Sequence, residues 1–363
     1  MSRAYLILEN GSVFAGESFG ADVETVGELV FNTGMTGYLE TLTDPSYFGQ
    51  IVIQTFPLIG NYGVIPSDFE SDNVWLKAYI VREWCQEPSN FRSEGRLDAF
   101  LKSRNIPALC GIDTRALTRI VREHGVMNAM ISKTPELTGE QWAALRSYKV
   151  TGGVEATSRK EVETVEPENA KYNVVLWDFG AKRNITRKLL ALGCRVIHVP
   201  CTATAEEIAA LKPDGIMLSN GPGDPADNTA IIAELKKLCA CGIPIFGICL
   251  GHQLMALCQG AKTMKHHYGH RGANQPVMDK KSGMVFVTSQ NHGYAVISDS
   301  LPENAAERFV NCNDGSCEGV DYTDMPVFTV QFHPEACAGP LDSGWLFDRF
   351  IKKMEENKAK GGD

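Results

Sequence analysis

The chain has 363 residues, with 35 Lys and Arg against 44 Asp and Glu and a formal net charge of −9. That length suits two domains of about 150 residues each, and 44% hydrophobic with 22% charged residues is ordinary for a soluble globular protein. The acidic balance argues against a general nucleic-acid binder, and no apolar run approaches the ~20 residues that cross a bilayer.

Glu9 and Asn10 arrive before a signal-peptide core could form. Eleven scattered cysteines without a C-x-x-C pair fit a reducing compartment, most of them as small buried hydrophobes. A cytoplasmic location is therefore expected, with no membrane and no nucleic acid as partners.

In chain order, residues 1–156 read as a mixed α/β domain. Strand-like runs come early (AYLILE, ELVFN, QIVIQT), and helical periodicity over 113–123 comes later. Asp113 or Thr114 is the expected cap of that helix, with Leu117, Ile120 and Val121 on its apolar face. Residues 157–171, TSRKEVETVEPENAK, are polar and aperiodic and read as a linker. Residues 172–363 then alternate apolar runs with helical stretches: VVLW, a helix over 182–192, a run to Val199, DGIMLSN, a helix to Leu238, IPIFGIC. That alternation predicts an α/β domain with a mostly parallel sheet flanked by helices, whose chemistry lies at the carboxyl ends of its strands.

The sharpest such end is G-I-C-L-G, Gly247 to Gly251. A buried strand runs through a small-residue turn into a helix, a nucleophile elbow with cysteine in place of serine. Cys249 then sits at a helix N-terminus, which favours a thiolate, and the Leu250 amide points where an oxyanion forms. A buried core cysteine is the plainer reading. His333, at the end of VFTVQFHPE, is the best base, and Glu335 two residues on faces the same way in extended backbone. His252 reads as structural, and His292 as a rival base or a loop wall.

His266, His267 and His270 suggest a metal site. Tyr268 and Gly269 interrupt any helix that would align them, however, and no carboxylate or cysteine completes the set nearby, so no metal is expected. S-N-G-P-G-D-P, Ser219 to Pro225, lacks the spacing of a phosphate loop and suits an oxyanion hole or an amino-acid substrate, or a plain turn.

NGPGDP, GICLGHQ and QFHPE, in this order, resemble the class I (triad) glutamine amidotransferase domain over residues 172–354. GELVFNTGMTGYLETLTDPSYFGQIV, FPLIGNYGV and GIDTRALTRIVREHG, with GHRGANQPV and SQNHGYAV later, resemble the small-subunit family of glutamine-dependent carbamoyl phosphate synthetases. The resemblance covers nearly the whole chain. It implies that Cys249 is the nucleophile, His333 the general base and acid, and Glu335 its orienter. It also implies L-glutamine contacts from Ser46, Gly221, Gly223, Leu250, Gln253, Asn291, Gly293 and Tyr294.

At 294 the familiar residue is Phe, so a backbone contact carries over and a side-chain role stays open. Ser46 lies in the N-terminal domain, which the resemblance casts as a partner-docking module that also contributes to the glutamine site. No ATP motif is visible, so no cofactor is expected in this chain. The resemblance places ATP and Mg on a large synthetase subunit that receives ammonia and makes carbamoyl phosphate for arginine or pyrimidine synthesis, in heterodimers that a higher oligomer could contain. Two other readings stay open: a stand-alone Cys–His γ-glutamyl hydrolase, and a non-enzymatic regulatory subunit with an idle triad.

Overall fold

The structure, a computed structural model, describes residues 2–360 and divides into two units, Met1–Thr151 and Gly152–Asp363. The first is a closed seven-stranded barrel, in the order Arg3–Leu8, Val13–Gly20, Pro107–Cys110, Ala78–Ile80, Gln50–Gln54, Thr25–Asn32 and Met127–Ser132. Gln50–Gln54 runs parallel to both neighbours, whereas the strands around Arg3–Leu8 are antiparallel. The early strand-like runs thus become barrel staves, and closure removes the edges that a mixed sheet would expose. The helix Thr114–His124 is capped by Asp113, whose side chain accepts from the Ala116 amide. Leu117 and Val121 are buried there, with Ile120 half-buried.

The second unit is a ten-stranded sheet. Five central strands run parallel, in the order Cys194–Pro200, Tyr172–Asp178, Gly215–Leu218, Ile245–Ile248 and Val327–Val330. Successive residues of Tyr172–Asp178 serve opposite faces. Val175 and Trp177 pack with Ile231, Leu235, Leu254 and Met255. Val174 and Leu176 pack with Ile185, Leu189, Phe350 and Met354 on the other side. Burial on both faces is why these strands read as continuous apolar runs.

Beyond Val327–Val330 the sheet turns antiparallel through Cys317–Tyr322 and Ala305–Asn311, and ends in a long hairpin of Thr263–Asp279 with Val285–Val296. Residues 157–171 are more than a linker. Glu163–Val165 pairs antiparallel with Cys194–Pro200, and the Thr157 hydroxyl donates to the Phe179 carbonyl. A three-residue strand on an edge needs no apolar periodicity, so it leaves little pattern to read.

Candidate active site

The strand Ile245–Ile248 ends at Cys249, and the helix Leu250–Cys258 begins one residue later. Cys249 has φ 53° and ψ −102°, a conformation that costs a non-glycine residue of order 1–3 kcal/mol. The surroundings hold it there. Its amide donates to the Val330 carbonyl, and the Gly251 amide donates to Ser219 O. The flanking glycines are steric necessities: a Cβ on Gly251 would lie 2.5 Å from the Leu218 carbonyl oxygen, and one on Gly247 would lie 2.9 Å from Gly251 O.

His333 follows the next parallel strand, with its amide donating to Ser289 O. Its Nδ1 lies 2.7 Å from Glu335 Oε1, and Lys182 Nζ lies 3.2 Å from the same oxygen. All three side chains are buried. The pairing does not arise from extended backbone, because the strand stops at Val330 and a turn brings Glu335 round to the ring. Burial disfavours a charged His333 and Lys182 repels it, yet Glu335 and Cys249 outweigh both and push its pKa up to about 10. Burial also penalises the Glu335 carboxylate, but His333 and Lys182 hold it down to about 2. His333 Nε2 is buried without a hydrogen-bond partner, a donor position left for a reacting group.

The loop 219–225 lies against the elbow. A Cβ on Gly221 would meet Phe179 O at 2.4 Å and Leu250 Cδ2 at 2.7 Å, and Gly223 has φ 92°. The Asn220 side chain accepts from the Lys182 amide and donates to Gly180 O. Asn291 O faces Cys249 Sγ at 3.7 Å. Gln253 Nε2 donates to Tyr294 O and to Gln331 Oε1, so it ties the elbow helix to the hairpin.

Comparisons with known proteins match both halves of the chain. Residues 6–131 match the family described as "Carbamoyl-phosphate synthase small chain, CPSase domain", and residues 175–353 match "Glutamine amidotransferase class-I". The carbamoyl phosphate synthase small chain of Fusobacterium nucleatum subsp. nucleatum is 51% identical, covering 98% of this chain and 99% of that protein. Its counterpart from Lactococcus lactis subsp. lactis is 47% identical over 99% and 100% of the two chains. The chain belongs to the carbamoyl phosphate synthase small chain family. With that membership goes glutamine amidotransferase activity.

The residues named from sequence in the second unit gather around three strand ends, those of Gly215–Leu218, Ile245–Ile248 and Val327–Val330, and the hairpin. Ser46 lies in the barrel unit, in the short 3-10 turn Pro45–Tyr47, where its amide donates to Asp44 Oδ1. Lys182 was not singled out from sequence; the available signal was a cation two residues past the DFG that begins at Asp178, the last residue of the strand.

His252 is buried, with Nδ1 2.7 Å from Thr329 Oγ1. His292 is neither rival base nor loop wall. It lies within the strand Val285–Val296, bonded to Tyr294 O and Gln290 Oε1. The expectation that nothing completes the histidine set is corrected in its geometry. A hairpin rather than a helix aligns His266, His270 and His292, and Asp314 and Glu318 approach from elsewhere in the unit. Among the described residues, no helix is long and apolar enough to cross a membrane.

Proposed function

We propose that this chain hydrolyses glutamine through a Cys249 thioester and delivers the ammonia to a large synthetase subunit that makes carbamoyl phosphate from bicarbonate and ATP. One observation carries the reading: a cysteine held in strained backbone at a helix N-terminus, beside a buried His333–Glu335–Lys182 relay. The Cys249 thiolate attacks the side-chain carbonyl carbon of glutamine. The Leu250 amide and an amide of the Gly221–Gly223 loop receive the oxyanion, and one such donor is typically worth ~10²–10³ in rate. His333, favoured as imidazolium, gives its proton to the leaving nitrogen, and ammonia departs as the C–N bond breaks. The neutral ring then takes a proton from water as that water attacks the thioester. Glutamate leaves and the thiolate returns.

Glu335 keeps the ring oriented and offsets its charge, while Lys182 keeps Glu335 ionised. Gln253, Asn291, Gly293, Tyr294 and, from the barrel unit, Ser46 are assigned to glutamine binding on the family motifs. The product serves arginine synthesis, pyrimidine synthesis or both. ATP and Mg belong to the large subunit, and this chain needs no cofactor of its own for the hydrolysis.

The test is glutamate release by the full chain and by Cys249→Ala, each with and without the large subunit, ATP and bicarbonate. A loss of at least about 10³-fold in the variant is expected, with a rate that rises when the partner is present. Activity that survives in Cys249→Ala overturns the nucleophile, and equal rates with and without the partner overturn the coupling.

A further inference from the structure

Away from Cys249, the hairpin gathers three imidazoles. One nitrogen each of His266, His270 and His292 lies within 4.8 Å of the other two. His270 and His292 are direct cross-strand partners, and His266 joins them because the pairing slips between Lys265 and His270. The ring centroids stand 4.8 Å apart for His266 and His270, and 5.0 Å for His270 and His292.

The strand Cys317–Tyr322 adds Glu318, which has no exposed surface. Its Oε1 lies 3.4 Å from His270 Nδ1 and 3.9 Å from His292 Nε2. Its other oxygen, Oε2, is buried without a partner, as is His266 Nε2. Buried polar atoms are almost always satisfied, so two in one cluster point to something that engages both.

The outer contacts orient two of the rings. His270 Nε2 lies 2.9 Å from Asp314 Oδ2, and His292 Nδ1 lies 2.9 Å from Tyr294 O. Each ring thus holds one nitrogen against an oxygen, which is how metal-binding histidines are oriented by their outer neighbours. The other nitrogen faces Glu318 but also meets an amide, His270 Nδ1 with Asn311 Nδ2 at 3.4 Å and His292 Nε2 with Gln290 Oε1 at 3.1 Å, so a bound ion displaces both amides. A cavity of about 320 Å³, walled in part by His266, Asp314 and Ser316, reaches the His266 side of the cluster.

We propose that His266, His270, His292 and Glu318 bind a divalent transition ion of the Zn²⁺ class. Three imidazoles and one carboxylate suit a tetrahedral borderline cation and supply too few oxygens for Ca²⁺ or Mg²⁺. His292 stands between Asn291, whose carbonyl faces Cys249 Sγ, and Gly293. Metal at this site fixes the strand segment that borders the nucleophile.

The experiment titrates the full chain, stripped with a chelator, with Co²⁺ as the probe, beside His266→Gln and Glu318→Gln. Circular dichroism checks that each variant is folded; His266 is half-buried and is the milder change. One Co²⁺ per chain with visible tetrahedral d–d absorption is expected, and His266→Gln weakens binding by at least ~10-fold. No binding, equal binding in folded His266→Gln, or a near-ultraviolet thiolate band that places the ion on cysteine each overturns the proposal.

Discussion

At the scale of single residues, the candidate site is a chain of charges in which each group sets the state of the next. Glu335→Gln keeps the shape and removes the negative charge that holds the His333 imidazolium against burial and Lys182. The pKa of His333 then falls. Glutamine turnover is expected to drop by about 10²–10⁴-fold, and the pH profile of Cys249 alkylation moves with it. Lys182→Met acts from the other end. Glu335 loses the cation that helps keep it near 2, so an acid limb enters kcat/KM at higher pH than in the parent chain. A kcat/KM profile that does not move in Lys182→Met would show that His333 alone keeps Glu335 ionised.

At the scale of elements, the elbow exchanges stability for position. Cys249→Gly and Cys249→Ala both remove the thiol, but only glycine accepts φ 53° without strain. The glycine variant is expected to be the more stable of the two by about 1 kcal/mol in urea unfolding, the gain at a positive φ exceeding glycine's usual entropy cost. Gly251→Ala goes the other way. Its methyl meets a backbone carbonyl that cannot step aside, and a loss of about 1–3 kcal/mol is expected from overpacking, measured as a lower urea midpoint.

The elbow was legible in sequence because a tight turn must declare itself through glycines. His333 and Glu335 were legible as a pair, and Pro334 between them marks a strand end; what was not legible is that the strand stops already at Val330, so that a turn joins them. The histidine cluster was illegible for a different reason. His270 and His292 meet by cross-strand register, and Glu318 comes from a third strand, so only long-range pairing brings the set together. Barrel closure in the first unit has the same origin, because the strand-like runs were visible while the order of their pairing was not.

At the scale of the whole molecule, buried titratable groups set a window of stability. Burial, with Arg159 nearby, lowers the His198 pKa to about 3, and burial alone does the same to His252. Folded, these rings bind fewer protons than the unfolded chain between about pH 3 and the ordinary histidine pKa near 6.5. Their contribution is therefore complete above ~6.5 and is lost on acidification. Glu335 and Asp279 add to the acid side. Burial opposes the charge of each, but both are held near pKa 2, Asp279 chiefly by Arg308 at 2.9 Å, and their contribution fades below the usual carboxylate range. His333 works in the opposite sense. Its raised pKa contributes fully below about 6.5 and is lost as pH climbs toward 10. A series of urea midpoints is expected to peak near neutrality and fall on both sides. A midpoint that keeps rising from pH 7 to 9.5 would contradict the buried imidazolium.

The strand Val285–Val296 is the last in its sheet, and its outer edge is put to use. Carbonyls two residues apart, at Ser289 and Asn291, meet the His333 amide and the Cys249 sulfur. Between and beside them, the side chains of Thr288, Gln290 and His292 are linked in a row. Since a strand alternates strictly, inserting or deleting one residue anywhere from 285 to 292 would exchange these two sets. Length variation in this hairpin should therefore be tolerated only at its tip, around residues 280–284, and a library of single-residue indels scored for glutaminase activity would map that boundary.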